Sequence, residues 1–225
     1  SLAQVAQQGP VNDAEHQHLL RIIPRLRRKL GLAALAVVKS TAPDRLDLCL
    51  PRDTASSVEQ QVVAHLHTGQ APVHYVENTL INGLFGLLCW PAIFAPLPGA
   101  FFHPYQVGPA DLHEDDFYHQ RTELFERCLA QLDDGRYRAT IGETYAAKKG
   151  LQSPFVAWNH LPPDLLEEAL ECLPAAHLKL WFRRLLLEIR ANRTGMPDLI
   201  QLYPERKPYR MIEVKGPGDR LQDNQ

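Results

Sequence analysis

The sequence predicts an α/β fold in which a mostly helical chain closes on a short strand hairpin. Three observations predict it. Apolar residues recur at helical spacing through the middle of the chain, as in FYHQRTELFERCLAQL and PPDLLEEALECL. The closing stretch, GMPDLIQLYPERKPYRMIEVKGPGDRLQDNQ, changes to strand-like apolar runs divided by the proline-bracketed turn PERKP. The 225 residues are 45% hydrophobic and 22% charged, an ordinary folded composition with ample chain for a core.

Taken in order, residues 1–70 read as a mostly helical upstream region. RIIPRLRRKL carries Arg21, Arg25, Arg27, Arg28 and Lys29, and Pro24 fits a first helical turn. A loop, the short apolar run LDLCL and a break at Pro51 follow. Ser56 or Ser57 caps a helix through SVEQQVVAHLHTG, with Gly69 as its stop. The next block, VHYVENTLINGLFGLLCW, reads as one helix with an apolar face of Val76, Leu80, Leu84, Leu87 and Leu88. Glu77 at its start either offsets the helix dipole or projects into a polar cleft.

Residues 78–102 carry no charge and are long enough for a membrane span. Gly83, Gly86, Pro91, Pro96, Pro98 and Gly99 interrupt the run, so a buried helix ending near Pro91 explains it better. Asp111 reads as the cap of a helix whose first turn holds Glu114, Asp115 and Asp116. A metal cluster of these acids with His113 is the weaker reading. DDGRY ends that helix, Asp164 after Pro162-Pro163 caps the next, and HLKLWFRRLLLEIRANRTG runs to Gly195 before the hairpin.

Composition excludes several classes. The formal net charge is −2, so any phosphate-binding surface is local. The four cysteines are scattered without a CxxC pair, against zinc fingers, redox motifs and a disulfide framework. His65, His67, His113 and His119 match no common zinc spacing. The chain lacks a signal-peptide pattern and begins in an Ala/Gln-rich stretch, which reads as a piece of a longer protein.

The hairpin carries the chemistry. A strand over residues 199–203 returns as YRMIEVKG, and alternation puts Glu213 and Lys215 on one face. Asp198, at the first strand's entry, then lies beside Glu213. Two adjacent carboxylates repel unless a cation lies between them, and Mg²⁺ suits carboxylates plus a phosphate. Lys215 would orient a water or neutralise charge growing on the phosphate. The competing reading is a solvated strand face.

PD followed by EVK resembles the PD-(D/E)XK nuclease signature, and GMPDL with MIEVKGPGDRLQDNQ resembles its VRR-NUC branch. The segment YVENTLINGLFGLLCWPAIFAPLPGAFFHPYQVGPADL resembles the region ahead of that domain in the Fanconi-associated nuclease family. The resemblance covers residues 75–117 and 195–225. It implies a PD-(D/E)XK (restriction-endonuclease-like) core over residues 71–225, with a helical insertion and an incomplete C-terminal end, the remainder of the same protein completing it. It assigns Asp198, Glu213 and Lys215 to the motif's metal-binding and catalytic positions, and Glu77 to an additional active-site glutamate on a helix. Val214 would offer its carbonyl to the metal. Gln225 falls at a supporting glutamine, with Asp219 as the cap of its helix.

The implied activity is a Mg²⁺- or Mn²⁺-dependent, structure-specific DNA nuclease. It would act on branched DNA as a 5′-flap endonuclease and 5′-to-3′ exonuclease in interstrand crosslink repair. Alternatives are another PD-(D/E)XK enzyme, such as a four-way junction resolvase, or a non-catalytic DNA-binding scaffold. Arg183, Arg184, Arg190, Arg193, Lys148 and Lys149 are candidate DNA contacts, with the cluster from Arg21 to Lys29 as a second set. The location would be cytoplasm and nucleoid in a bacterium, the nucleus in a eukaryote. Compact spacing without low-complexity insertions leans bacterial.

Overall fold

The computed structural model describes residues 13–33, 43–51, 54–206 and 209–216. It divides into two compact units, Ser1–Pro51 and Arg52–Gln225. In the first unit, α1 spans Asp13–Lys29 and ends in Arg27, Arg28 and Lys29, whose charges complement its C-terminal dipole. Pro24 lies inside this helix, not in a first turn, because the helix begins well upstream of the basic run. The apolar run LDLCL forms neither helix nor strand.

The second unit opens with α2 (Val58–Leu66). Ser57, one of the two serines expected to cap it, is its N-cap and forms a reciprocal capping box with Gln60. The helix ends at His67, before the expected glycine, and Thr68 and Ala71 form an isolated bridge around Gly69. The block read as one helix divides into β1 (Val73–Tyr75), a turn at Glu77 and Asn78, α3 (Thr79–Leu88) and α4 (Trp90–Ile93). Val, Tyr and Val are as much strand formers as helix formers. The pairing partner of β1 lies far along the chain, so nothing local announces it.

Helices α5 (Phe117–Gln120) and α6 (Thr122–Asp134) follow, and Gly135 ends α6 at φ 83°, a left-handed cap that glycine adopts without strain. Asp111 caps neither. Its carboxylate accepts from Arg121 Nη1 and Nη2 at 2.6 and 3.0 Å, and the Arg121 side chain is 0% exposed. A buried guanidinium outbid a helix end for this acid, because an unpaired buried charge costs far more than an uncapped terminus. Helix α7 (Tyr137–Lys148) was not predicted; α8 (Pro163–Cys172), α9 (Ala175–Leu187) and α10 (Ile189–Asn192) occupy the expected stretches. Pro162 holds the cap position of α8, and Asp164 sits in its first turn instead.

The chain closes with β2 (Leu199–Leu202) and β3 (Tyr209–Ile212). The expected hairpin is present, and β1 makes it a three-stranded antiparallel sheet in the order β1-β2-β3. The central β2 is buried at every position. So is α3 across residues 80–88, apolar on all sides rather than along one stripe, as a helix enclosed by its neighbours must be. Phe85 lies at the centre of this core, its ring 5.0, 5.5 and 6.1 Å from those of Phe155, Phe182 and Phe125. No helix among the described residues is long and apolar enough to cross a membrane. Cys89, Cys128 and Cys172 are buried thiols outside any disulfide, and Cys49 is an exposed one.

Candidate functional site

One end of the sheet gathers three chain segments. The register pairs Tyr75 with Leu199, and Leu199 with Ile212. One step beyond each strand therefore lie Val76, Asp198 and Glu213. The amides of Val76 and Glu77 both donate to the Asp198 carbonyl, at 2.8 and 3.1 Å. The Val214 amide donates to Asp198 Oδ2 at 2.9 Å. Asp198 thus ties β1's exit to β3's exit through its own backbone and side chain.

Two asparagines lock the turn that carries Glu77. Asn78 sits at φ 55°, a left-handed conformation that asparagine tolerates better than most residues. It occupies the N-cap position of α3 but makes no side-chain cap; its Oδ1 accepts from the Met196 amide at 3.0 Å. Buried Asn82, one turn into α3, donates to the carbonyls of Asn78 and, at 2.8 Å, of Arg193. Sequence reasoning gave neither asparagine a role. The available signal was Asn82 itself, a polar side chain inside an otherwise apolar run, which needs partners wherever it is buried.

Glu77 lies in the turn, not on the helix as the family resemblance implied, and is exposed. The Tyr75 hydroxyl donates to its Oε2. That hydrogen bond, with burial and the charges of Glu77, Asp198 and Glu59, pushes the Tyr75 phenol from 10.0 up to about 12. Beyond the end of β3, Lys215 Nζ pairs with Glu213 Oε1. The two side chains meet as alternation predicted, although neither residue lies within the strand. Glu213 is 15% exposed in its side chain, and its Oε2 is buried without a hydrogen-bond partner among the described residues.

A carboxylate oxygen left buried and unpaired is costly unless a cation or donor meets it. With Asp198, Glu77 and the Val214 carbonyl, the donors at this end of the sheet are all hard oxygens. That set fits a divalent cation of the Mg²⁺ class and not a soft metal. Among the described residues no three His, Cys, Asp or Glu side chains stand close enough to form a complete metal cage. Glu77 and Glu213 are instead engaged by Tyr75 and Lys215.

The candidate DNA contacts fare unevenly. Arg183, on α9, is held by Glu126 of α6 at 3.0 and 2.8 Å. Arg193 donates to the Pro154 carbonyl at 2.8 Å, its guanidinium 5.8 Å from the centre of the Phe155 ring. Lys149 lies over the Tyr145 ring at 5.4 Å. Arg184 and Arg190 are exposed, and Lys148 is half-buried at the end of α7. In α1, Arg25, Arg28 and Lys29 are exposed and Arg27 donates to the Ala33 carbonyl at 2.8 Å. Gln225 and Asp219 lie outside the described residues. A cleft of about 690 Å³ bordered by Trp90, Phe94, Phe101 and Tyr105 includes none of the carboxylates.

The VRR-NUC domain family matches residues 132–225, which takes in Asp198, Glu213 and Lys215 and leaves Glu77 outside. The Fanconi-associated nuclease 1 homologue of Pseudomonas aeruginosa is 58% identical over 227 residues, covering 100% of this chain and 40% of that protein. The Fanconi-associated nuclease 1 of Danio rerio is 32% identical over 175 residues, covering 75% of this chain and 18% of that protein. The crystal structure of paFAN1 bound to 5′-flap DNA with a 2-nucleotide flap and a gap superposes with a TM-score of 0.87 at 58% identity, over 97% of this chain and 40% of that one. The chain thus spans about 40% of the length of its bacterial relative.

Proposed function

The chain belongs to the Fanconi-associated nuclease family and carries its VRR-NUC domain, and on that premise we propose that it provides the cleavage centre of a metal-dependent, structure-specific DNA nuclease. The observation that carries the reading is the convergence of Asp198, Glu213 and the Glu77 turn on one end of a PD-(D/E)XK-type α/β sheet, with Lys215 on Glu213.

Asp198, Glu213, Glu77 and the Val214 carbonyl would hold Mg²⁺ or Mn²⁺. When bound, the cation supplies Lewis-acid polarisation of the phosphodiester and acidifies a water. The protein's own residues do the rest. Asp198, fixed by the Val214 amide, presents a carboxylate that need not reorganise. Lys215 gives a positive donor beside Glu213, suited to orient the attacking water or offset charge on the non-bridging phosphate oxygens. The water's oxygen forms the new bond to phosphorus as the phosphorus–oxygen bond to the sugar breaks. The water gives up one proton to solvent and the departing sugar oxygen takes one up, so the net change is addition of one water.

The substrate we propose is branched DNA with a 5′ flap, cut endonucleolytically and then stepwise 5′-to-3′, in repair of interstrand crosslinks. A relative solved with 5′-flap DNA supports flaps over four-way junctions. Arg190 and Lys148 are the first DNA contacts to test, since Arg183, Arg193 and Lys149 already have partners within the fold; Arg184, exposed on α9, comes after them. We take residues 71–225 as the nuclease domain and 1–70 as the region upstream, because β1 is the first strand of the sheet bearing the carboxylates. The 58% identity to a bacterial protein supports action on the nucleoid.

The test uses the full-length protein on labelled 5′-flap, 3′-flap, four-way and single-stranded DNA, with Mg²⁺ or EDTA. Wild type should cut the 5′ flap only with metal, and Asp198→Ala should bind it without cutting. Equal cutting by Asp198→Ala refutes the site. Binding by wild type without cutting on any substrate favours a scaffold.

A further inference from the structure

Tyr75 ends β1, its backbone held opposite Leu199 and its side chain largely out of the core at 42% exposure. Its ring pairs with no other described aromatic ring. What it does make is a hydrogen bond from its hydroxyl to Glu77 Oε2. Among the described residues this is the one hydrogen bond that the Glu77 side chain has. Glu77 stands exposed on a turn, with a carboxylate that would otherwise sample many rotamers.

We propose that Tyr75 is a positioning residue, whose hydroxyl clamps one oxygen of Glu77 and leaves the other for the divalent cation held with Asp198 and Glu213. The inference rests on the reading of Glu77 as a ligand given above. Its logic is that of a ligating carboxylate fixed by an outer hydrogen bond, whose removal weakens metal affinity while the ligands remain. The clamp is short-range and rigid. Tyr75 and Glu77 are separated by Val76 alone, and the amides of Val76 and Glu77 are both anchored on the Asp198 carbonyl. The phenol and the carboxylate therefore meet across a backbone segment tied at two successive amides to Asp198.

The experiment compares wild type, Tyr75→Phe and Glu77→Gln in the full-length protein. Mn²⁺ binding is measured by electron paramagnetic resonance in the presence of an uncleavable 5′-flap DNA, alongside cleavage as a function of Mn²⁺ concentration and thermal midpoint. Tyr75→Phe should raise the Mn²⁺ dissociation constant about 10- to 100-fold, keep the thermal midpoint, and recover cleavage at saturating Mn²⁺. Unchanged Mn²⁺ affinity in Tyr75→Phe, with weakened affinity in Glu77→Gln, overturns the clamp and leaves the site reading intact. A Tyr75→Phe defect that saturating Mn²⁺ does not relieve also overturns it. Full Mn²⁺ affinity and cleavage in Glu77→Gln removes Glu77 as a ligand, and the clamp with it.

Discussion

Asn78 does two things that one ordinary residue would not do together. It adopts φ 55° and its Oδ1 accepts the Met196 amide at 3.0 Å. Asn78→Ala leaves that amide without its acceptor and puts a plain Cβ in the left-handed region, for a combined cost of about 2 kcal/mol. Asn78→Gly relieves the backbone and loses only the acceptor, so urea denaturation should find it the less damaged of the two. Arg121 offers a second residue-scale case. Asp111→Ala strands its fully buried guanidinium, at a cost of about 3–5 kcal/mol. The double change Asp111→Ala with Arg121→Met should recover much of that stability, because it removes the charge as well as its partner. A double variant weaker than Asp111→Ala alone would show that the pair matters for more than charge burial.

At the scale of elements, α3 is the post on which the Glu77 turn rests, and its two glycines differ. A Cβ on Gly86 would lie 2.7 Å from the Phe155 Cβ and 3.0 Å from Val156 Cγ2, so the neighbouring segment must shift. A Cβ on Gly83 meets only Leu161 Cδ2 at 3.1 Å, the far end of a flexible side chain. Alanine gains about 1 kcal/mol of helix propensity at either site. Overpacking at Gly86 costs about 1–3 kcal/mol, so Gly86→Ala should destabilise while Gly83→Ala should be near neutral, as read by thermal midpoints. Helices α6 and α9 are joined by Glu126 and Arg183, and the pair responds to pH. The Arg183 hydrogen bond, then that of Tyr118, holds Glu126 below its ordinary 4.5. A depressed acid contributes stability above its unfolded value and loses it as pH falls through the folded one. The advantage of wild type over Glu126→Gln should therefore be present at pH 7 and shrink below about 4.5. Both side chains are more than a third exposed, so its size is a few tenths of a kcal/mol.

Across all 225 residues, a net charge of −2 means that any DNA affinity this chain contributes under the proposed function comes from a few local cations. Each phosphate contact contributes about one unit to the slope of log affinity against log salt. Arg190→Ala should lower that slope in filter-binding or anisotropy titrations. Arg183→Ala should change it less, since Arg183 must first leave Glu126. Equal slopes in wild type and Arg190→Ala would remove Arg190 from the interface.

What could be read along the chain was whatever has a short period or sits between neighbours. Helical spacing gave most helices, Gly135 and Pro162-Pro163 marked the limits of two of them while Pro24 and Gly69 did not, and alternation around PERKP gave the β2–β3 hairpin with Glu213 beside Lys215. Even the order of acid, acid and lysine was visible, because Asp198 and Lys215 belong to one hairpin. Tertiary structure decided the features whose partners are distant. Strand β1 exists because Val73 to Tyr75 pair with β2, and that pairing pulled Glu77 off the expected helix into a turn. Arg121 drew Asp111 from a helix end because burial makes an unpaired guanidinium intolerable. Asn78 and Asn82 found their partners at Met196 and Arg193 only once the chain had folded back. Local propensity carries no information about a hydrogen-bond partner more than a hundred residues away, and it is those partners that hold the carboxylate turn against the hairpin.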